Sequence, residues 1–386
     1  MSQVLGIIGG GQLALYLCEA AQRLGFEVAV LADSAAAPAA QRADRVFTTA
    51  TAAVAELDPF IASCDVITFD KEAIADDVLV RLLEYSQRQQ LEIRPGVATM
   101  CLLKDKALQK EWLSEEGLPT LPFQVIAGRP RALTAFTGEL GNALVQKRRC
   151  GGYDGRGVQI LKVVESLEQF WNVPSVVEPY LPDCKEIAVI TVRGQSGEIQ
   201  TYPPVSMDFD AQLNSVRTVS MPAAVSSTLS AAATALAERA VKLLQGIGVF
   251  AIEMFVSPAG ELFINEISPR VHNSGHLTQD ACNVSQFEQH VRAVMGLPLA
   301  AIIHESPAAM CNILYTQAME GWCPDNPVNE SLPEFGAAVY WYGKATGQAG
   351  RKMGHVNAVA PLVSDAVVAA QRALEQVTGT YREYIV

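Results

Sequence analysis

The order of elements at the N-terminus constrains the fold more than any other feature of this sequence. An apolar run predicts a strand over Val4–Ile8, and three glycines separate it from a predicted helix over Gln12–Leu24. A second apolar run predicts a strand over Glu27–Ala32. A strand, a helix and a second strand in this order form a βαβ unit, in which a ligand crevice lies at the carboxyl ends of parallel strands. The sequence therefore predicts an α/β fold at this end of the chain.

The glycine turn of this unit is a candidate anion site. The stretch GGGQLA over Gly9–Ala14 fits the pattern G-x-G-x-x-[GA], and Asp33 follows about twenty residues later. Free N–H groups and the helix dipole at such a turn attract anions of many kinds. Three interpretations stay open from the pattern alone: a phosphate-bearing ligand, a nicotinamide dinucleotide, or glycines that serve only close packing.

Length and charge limit the classes of function. A chain of 386 residues exceeds one ordinary core, so two or three domains are expected. The net charge of −12 repels a phosphate backbone, and we expect no nucleic-acid partner. No basic leader and no apolar run long enough to span a bilayer is found, which predicts a cytoplasmic protein without membrane contact. Eight cysteines, never closer than twelve residues apart, are expected to be reduced and mostly buried.

Turn residues divide the remainder of the chain. Pro95 and Gly96 interrupt the first pattern before a predicted amphipathic helix over Lys104–Glu116. Further along, Glu186–Val192 and Glu198–Pro203 are predicted to pair as a hairpin, and an alanine-rich helix is predicted over Ser227–Gln245. The middle part therefore mixes strands and helices in α+β fashion.

A second glycine stretch lies between two strand-like runs at residues 151–157, GGYDGRG. It lacks the Gly-Lys-Ser/Thr that leads a Walker loop into a helix. Its bare N–H groups could close over a polyphosphate, with Lys147 on the incoming strand pointing at the same anion. A hairpin tip with solvated arginines explains the glycines equally well.

Two carboxylates are expected close together on the predicted hairpin FAIEMFVSPAGELFINEI. If Ser257 pairs with Gly260, then Glu253 faces Ile264, and Glu266 is its diagonal neighbour on the same face. Two carboxylates with few other ligands are how magnesium is held against substrate phosphates. An exposed acidic pair is the alternative.

The segment after the hairpin is dense in directional polar groups. Arg270 offers a charge-assisted fork for an anion. No third ligand is spaced for zinc around His272 and His276, so structural hydrogen bonding is favoured over metal binding for both.

Together these motifs resemble the ATP-grasp carboxylate–amine ligases, through K…GGYDGRG, VEPYLP with a following Glu186, and the E…NE hairpin. Within that superfamily, GGGQLA, KRRCGGYDGRG, INEISPRVHNSGHLTQ and GRKMGHVN resemble the 5-(carboxyamino)imidazole ribonucleotide synthetase family of purine biosynthesis. The resemblance covers nearly the whole chain in order. It implies an ATP-grasp fold with a Rossmann-like pre-ATP-grasp domain (1–98), an ATP-grasp domain (99–297, with a flexible lid at about 123–180) and a small C-terminal domain (298–386).

The resemblance also implies the site residues, position by position. Catalytic roles fall to Arg270, Lys147 and Asn273, and magnesium would be held by Glu253 and Glu266. The residues implied for ATP are Lys106, Lys147, Gly152, Tyr153, Asp154, Gly155, Arg156, Gly157, Glu178, Pro179, Tyr180, Leu181, Glu186, Asn265 and Glu266. Those implied for the amine substrate are Gly11, Gln12, Leu13, Glu72, Tyr153, Arg156, His272, Asn273, Arg351 and Lys352.

The implied reaction joins bicarbonate to aminoimidazole ribonucleotide at the expense of ATP, with carboxyphosphate as the intermediate, and the implied assembly is a homodimer. Two segments depart from the family pattern: Ser206–Phe209, and TFDKE at 68–72, where Lys71 precedes the matching acid Glu72. A formate-dependent phosphoribosylglycinamide transformylase, a divergent paralogue, a non-catalytic ATP-binding regulator and an NAD(P)-dependent dehydrogenase remain alternatives.

Overall fold

A computed structural model describes residues 2–49, 53–88, 91–131, 140–141, 143–152, 157–210, 215–315, 327–344 and 346–380. At the N-terminus a parallel five-stranded sheet has the order β3-β2-β1-β4-β5. Its strands are β1 (Val4–Ile8), β2 (Glu27–Ala32), β3 (Arg45–Thr48), β4 (Val66–Phe69) and β5 (Glu92–Ile93), and its helices are α1 (Gln12–Arg23), α2 (Ala53–Ala62) and α3 (Asp76–Gln87). The βαβ prediction is confirmed.

The helix predicted over Lys104–Glu116 is present, but it begins two residues later than expected. The structure has two helices, α4 (Val97–Lys104) and α5 (Lys106–Glu115), separated at Asp105. Asp105 is extended, with φ −107° and ψ 110°, and its carboxylate accepts the N–H of Ala107 at 2.8 Å. The break arises because Asp105 acts as the N-cap of α5.

A small antiparallel sheet follows, in the order β6-β9-β7-β8. Its strands are β6 (Gln124–Ile126), β7 (Leu144–Arg148), β8 (Val158–Leu161) and β9 (Ser175–Pro179). A separate core built on Leu144, Phe170 and Val177 supports it.

The largest sheet has ten strands and runs through the rest of the chain. Its main path is β15-β14-β10-β12-β13-β16-β19-β18-β17, with β11 paired to β10. The strands are β10 (Lys185–Arg193), β11 (Ile199–Thr201), β12 (Val205–Asp210), β13 (Ser215–Met221), β14 (Gly248–Val256), β15 (Leu262–Ser268), β16 (Ala308–Leu314), β17 (Pro327–Leu332), β18 (Ala337–Tyr342) and β19 (Lys352–Val359). The predicted hairpin of β10 and β11 is confirmed.

Helices cover both faces of this sheet. They are α6 (Ser227–Leu244), α7 (Thr278–Ala281), α8 (Gln286–Val294) and α9 (Val363–Thr380). Alternate residues of β10 enter different cores: Ile187 and Val189 pack with α6, whereas Ala188 and Ile190 share a core with α1 and α8. This alternation is the period of two expected of a strand buried on both faces. None of the helices in the described ranges is long and apolar enough to cross a membrane.

The register predicted for the acidic hairpin is wrong. Ser257 lies opposite Glu261, to whose carbonyl its N–H donates at 2.9 Å, while the N–H of Gly260 donates to the Ser257 carbonyl within the turn at 2.8 Å. Gly260 adopts φ +84°, as in a three-residue loop with a left-handed glycine. A bulge between Glu253 and Met254 shifts the register once more, so that Glu253 lies directly opposite Glu266. The two carboxylates are therefore nearer neighbours than the sequence indicated.

The cysteine prediction is also corrected. Every cysteine of the described segments is free, but only Cys18, Cys282 and Cys311 are buried. Cys101 lies on helix α4 and Cys150 just after a strand of the small sheet, and both are exposed. Cys323 lies outside the described residues.

Candidate active site

A cavity of about 680 Å³ lies where the N-terminal sheet, helix α5, the small sheet and the large sheet meet. The polar side chains that line it come from segments far apart in sequence. Of the predicted site residues, those in the lining are Gly11, Gln12, Leu13, Glu72, Lys106, Lys147, Gly152, Glu178, Pro179, Tyr180, Leu181, Glu186, Glu253, Asn265, Glu266, Arg270, His272, Asn273 and Lys352. Tyr153, Asp154, Gly155 and Arg156 lie outside the described residues.

Two predicted site residues are not in this lining. Gly157 begins the return into β8, and its carbonyl accepts the N–H of Arg148 at 2.8 Å. Arg351 donates instead to the carbonyl and hydroxyl of Thr346, at 2.6 and 3.0 Å. Its neighbour Lys352 begins β19 and is buried, and successive residues of an extended chain point to opposite sides. Of Arg351 and Lys352, only Lys352 therefore lines the cavity.

At one end of the cavity two lysines share a buried carboxylate. Lys147 forms an ion pair with Glu178 and donates to Asn265 Oδ1 at 2.6 Å. The ammonium of Lys110 lies 2.8 Å from the second oxygen of Glu178. Burial by itself would raise the pKa of Glu178, but Lys147 and Lys110 outweigh it and lower this pKa to about 2.

Sequence reasoning missed Lys110. It follows Lys106 by four residues on α5, so both side chains lie on one face of that helix. That spacing was the available signal, but its partner Glu178 lies on β9, a distant strand, and nothing local indicates the pairing.

The acidic hairpin supplies two carboxylates opposite each other, and like charges so placed are unfavourable without a cation. Here Nε2 of His272 lies 3.1 Å from Glu253, and Lys106 forms an ion pair with Glu266. Burial would raise the pKa of Glu253, but the hydrogen bond and charge of His272, together with the charges of Lys106 and Lys147, outweigh burial and lower this pKa. Burial would likewise lower the pKa of Lys106, and Glu266 reverses the direction.

The oxygen atoms that this arrangement offers are suitable ligands for magnesium. Glu253, Glu266 and the amide of Asn265 all line the cavity and offer oxygen ligands. In the described ranges no group of three or more His, Cys, Asp or Glu side chains is placed to hold a metal ion unaided. Magnesium is characteristically held by one or two carboxylates together with substrate phosphates, so two carboxylates suffice.

Arg270 and Glu72 form a bidentate ion pair. Its Nε and Nη2 atoms donate to the two carboxylate oxygens at 2.6 and 2.8 Å. Burial would raise the pKa of Glu72, but Arg270 lowers it to about 2. Glu72, the acid of TFDKE that matches the family pattern, is therefore ionised and fixed at the cavity wall. Lys71, which precedes it, forms an ion pair with Asp33 at 3.2 Å.

The first glycine turn is closed by a residue that sequence reasoning passed over. Asp70 is buried, and its Oδ2 accepts the N–H of Gly11 at 2.8 Å. A Cβ at Gly9 would overlap this carboxylate. A carboxylate thus occupies the position where a dinucleotide pyrophosphate needs N–H donors, and Asp33 is turned to Lys71, so the geometry disfavours the nicotinamide interpretation.

The two histidines of the 270–276 segment differ. His272 bonds Glu253 and the hydroxyl of Ser274, the latter at 2.8 Å, so the prediction of hydrogen bonding is confirmed for it. For His276 the prediction is wrong, because neither ring nitrogen has a hydrogen-bond partner among the described groups. His276 is instead surrounded by aromatic rings.

Aromatic side chains also line the cavity. Phe209 and Phe255 line it, and the Lys147 ammonium lies 5.6 Å from the centre of the Phe255 ring. Burial first, and then the charge of Glu253, raises the pKa of Glu186 to about 7. A nucleotide in this cavity would therefore meet lysine ammonium groups, aromatic ring surface and a weak acid.

Three family models match this chain. They describe the ribonucleotide synthetase preATP-grasp domain over residues 1–100, the ATP-grasp domain over 111–287 and the phosphoribosylaminoimidazole carboxylase C-terminal domain over 308–367. The fold is thus that of an ATP-grasp ligase, and the predicted fold class is confirmed.

Known relatives identify the family within the ATP-grasp ligases to which this chain is similar. The N5-carboxyaminoimidazole ribonucleotide synthase of Synechococcus elongatus is 39% identical over 92% of this chain and 89% of its own length. The synthetase from Thermotoga maritima is 35% identical, with a TM-score of 0.82 over 97% of this chain and 98% of that one. The synthase from Aspergillus clavatus, solved with ADP and 5-aminoimidazole ribonucleotide, is 30% identical, with a TM-score of 0.82 over 98% and 99%. The chain belongs to the N5-carboxyaminoimidazole ribonucleotide synthase family.

Proposed function

We propose that this protein carboxylates 5-aminoimidazole ribonucleotide with bicarbonate, coupled to the conversion of ATP to ADP and phosphate, as a step of purine biosynthesis. Family membership supports the reaction class. The observation that carries the proposal is that one cavity contains the paired carboxylates Glu253 and Glu266, the lysines Lys106 and Lys147, and polar residues of the 270–276 segment. The Aspergillus clavatus relative binds ADP and 5-aminoimidazole ribonucleotide together.

At the nucleotide end, Lys106 and Lys147 would bind the phosphates, and residues 152–157 would close over them. The adenine would lie against residues 178–181, with the ribose hydroxyls near Glu186. Magnesium, held by Glu253 and Glu266 with Asn265 beside them, would supply Lewis-acid stabilisation of the transferring phosphoryl group. Lys106 would then exchange its partner Glu266 for phosphate oxygens, which costs little because one anion replaces another.

At the other end, aminoimidazole ribonucleotide would lie against residues 11–13, Glu72, His272 and Asn273, with Tyr153 and Arg156 from the loop. Its phosphate would meet Lys352, and Arg351 could join it only after leaving Thr346. Because Glu72 is ionised and held by Arg270, it can accept hydrogen bonds from ribose hydroxyls without moving.

The chemistry needs no protein nucleophile. A bicarbonate oxygen attacks the γ-phosphorus, the bond to ADP breaks, and carboxyphosphate forms. The exocyclic amine of the imidazole then attacks the carboxyl carbon of carboxyphosphate, or carbon dioxide released from it; phosphate departs and the amine loses a proton. Lys147 and Arg270 would neutralise charge, Asn273 would help to align the reactants, and residues 152–157, once closed over the site, would exclude water from a hydrolysable intermediate.

We also propose the domain limits 1–98, 99–297 and 298–386, a cytoplasmic location and a homodimer. The spans of the three family matches support the limits, although β13 and β16 pair across the last of them. Light scattering of the purified protein tests the dimer, and a mass of one chain would refute it.

The function is tested by measuring ADP and phosphate formation with aminoimidazole ribonucleotide and bicarbonate, each omitted in turn. We expect product only when both are present. Turnover with formate and phosphoribosylglycinamide would identify the transformylase instead. ATP binding without turnover, whatever amine is supplied, would identify a regulator, and NADH binding in place of magnesium-ATP would identify a dehydrogenase.

A further inference from the structure

Four rings are stacked one on another outside the cavity lining. The ring centres of Tyr340 and His355 lie 4.5 Å apart with planes at 7°, and those of His355 and His276 lie 4.6 Å apart at 26°. Phe287 continues the stack at 5.6 Å and 28° from His276. The rings come from β18, β19, the turn that follows β15 and α8, so one column of rings ties four elements together.

A fifth ring holds the column from the side. Tyr16 of α1 is edge-on to His276 at 6.0 Å and to His355 at 5.9 Å. Such edge-on contacts suit the quadrupoles of aromatic rings. The column therefore also fixes the N-terminal helix, whose first turn lines the cavity with Gln12 and Leu13.

The two imidazoles stack as neutral rings. Both side chains are fully buried. Burial lowers the pKa of His355 to about 3, and burial followed by the neighbouring His355 lowers the pKa of His276 well below its usual value. The nearby Lys352 and Lys344 act in the same direction on His276. Two face-to-face imidazoliums would repel each other, so neutrality is a condition of the stack.

Each histidine follows a cavity residue by three positions. His276 follows Asn273, and His355 follows Lys352. The column links the two segments, and so does Asn357, whose amide donates to the carbonyl of His276 at 3.1 Å. At the cavity the Lys352 ammonium lies 3.4 Å from Asn273 Oδ1. Asn273 is also held by a reciprocal amide pair with Asn312, at 2.9 and 3.0 Å, so the stacked rings fix the backbone segments that carry the ammonium and the amide, while the amide pair orients the Asn273 side chain.

We propose that His276 and His355 are positioning residues, whose stacked rings hold Lys352 and Asn273 at the spacing that the amine substrate requires. Neither histidine lines the cavity, so neither touches substrate. They are the last residues of the HNSGH and GRKMGH motifs, and the stack gives both a structural role. The inference rests on the proposed function, which gives Lys352 and Asn273 their ligand.

Steady-state kinetics of His355→Ala and His276→Ala test the proposal. We expect the KM for aminoimidazole ribonucleotide to rise about tenfold to a hundredfold, as for a small misplacement of binding groups, while the KM for ATP stays within about twofold. His276→Phe keeps a stacking ring and loses no hydrogen bond of the ring nitrogens, so it should restore most of the affinity lost in the alanine variant. If the alanine variants do not fold, His276→Leu fills the space without a stacking ring and is expected to show the same rise.

His290→Ala is the matched control. His290 is as buried as His276, but its ring nitrogens bond Thr68 at 2.8 Å and the N–H of Val249 at 3.0 Å. We expect this variant to unfold at a lower temperature without a selective rise in the KM for aminoimidazole ribonucleotide. An equal selective rise would mean that lost stability, rather than positioning, explains the stack variants, and would overturn the proposal.

A double variant tests whether His355 acts through Lys352. Lys352→Met alone should raise the KM for aminoimidazole ribonucleotide, and adding His355→Ala should raise it little further, because effects on one shared contact are not additive. Fully multiplied effects would refute the coupling. Absence of turnover in the unmodified protein would refute the proposed function, whereas normal turnover with an unchanged KM in the ring-deleting variants would refute this inference alone.

Discussion

Replacing Glu178 by glutamine removes the negative charge that lies between two buried lysines. The exposed fractions of the side chains are 1% for Glu178, 4% for Lys110 and 9% for Lys147. The pKa of Glu178 falls from 4.5 to about 2 in the folded protein, despite burial, because of these lysines. At about 1.4 kcal/mol per pKa unit, the ionised carboxylate contributes about 3 kcal/mol to the free energy of unfolding at pH 7. We expect Glu178→Gln to lose about this amount.

The effect has a defined pH dependence. A carboxylate whose pKa is lowered by folding stabilises the protein fully above its unfolded pKa, near 4.5, and this contribution is lost as the pH falls through about 2. Between pH 7 and pH 3 the difference between the two proteins should therefore shrink by about 2 kcal/mol.

Urea unfolding at pH 7 and pH 3 measures both quantities. Combining Lys110→Met with Glu178→Gln leaves one buried lysine instead of two, so this double variant should be more stable than Glu178→Gln alone. Glu165→Gln, at an exposed position, is the control and should change stability by less than about 0.5 kcal/mol. Equal stability of Glu178→Gln and the unmodified protein at pH 7, or a double variant no more stable than the single one, would refute the reasoning.

Three further predictions concern the same region. Glu266→Gln should lower phosphate release by roughly hundredfold with the fold retained, since the change removes charge stabilisation rather than packing. Glu261→Gln on the same hairpin is the control and should leave phosphate release unchanged. Near-native turnover of Glu266→Gln would count against the metal assignment. Because burial and Glu253 raise the pKa of Glu186 to about 7, stability is lost as the pH rises from 4.5 through 7, and Glu186→Gln should raise the unfolding temperature at pH 8 but not at pH 4. Asp105→Ala removes both the cap and the ion pair with Arg149 and should cost about 1–2 kcal/mol in urea unfolding, whereas Asp105→Asn loses the ion pair but keeps the cap and should cost less; equal losses would contradict the capping role.

Local patterns in the sequence predicted much of the fold. The N-terminal βαβ unit and the hairpin of β10 and β11 follow from apolar runs and glycine turns, which act between neighbouring residues. The pairing of Glu253 with Glu266 could not be read in this way, because a left-handed Gly260 and a bulge each shift the register by one residue. Periodicity alone does not indicate where a strand takes up an extra residue.

The candidate site was predicted where a motif carries its residues and missed where pairing depends on distant segments. Lys147, Glu253 and Asn273 belong to recognisable motifs. Lys110 lies in none of them, and Asp70 lies in TFDKE without a role assigned to it. Each acquires its role only when another element folds against it, Glu178 on β9 for Lys110 and the N–H of Gly11 for Asp70. Long-range ion pairs of this kind leave no periodic trace in one sequence.

The continuous ten-stranded sheet has a consequence for how the chain matures on the ribosome. β13 pairs with β16, which is synthesised only after α6, the acidic hairpin and α8 have emerged. Until then the outer N–H and C=O groups of β13 are an open template for other strands. We therefore expect nascent chains stalled before β16 to be captured by chaperones, and release from them to coincide with the arrival of that strand.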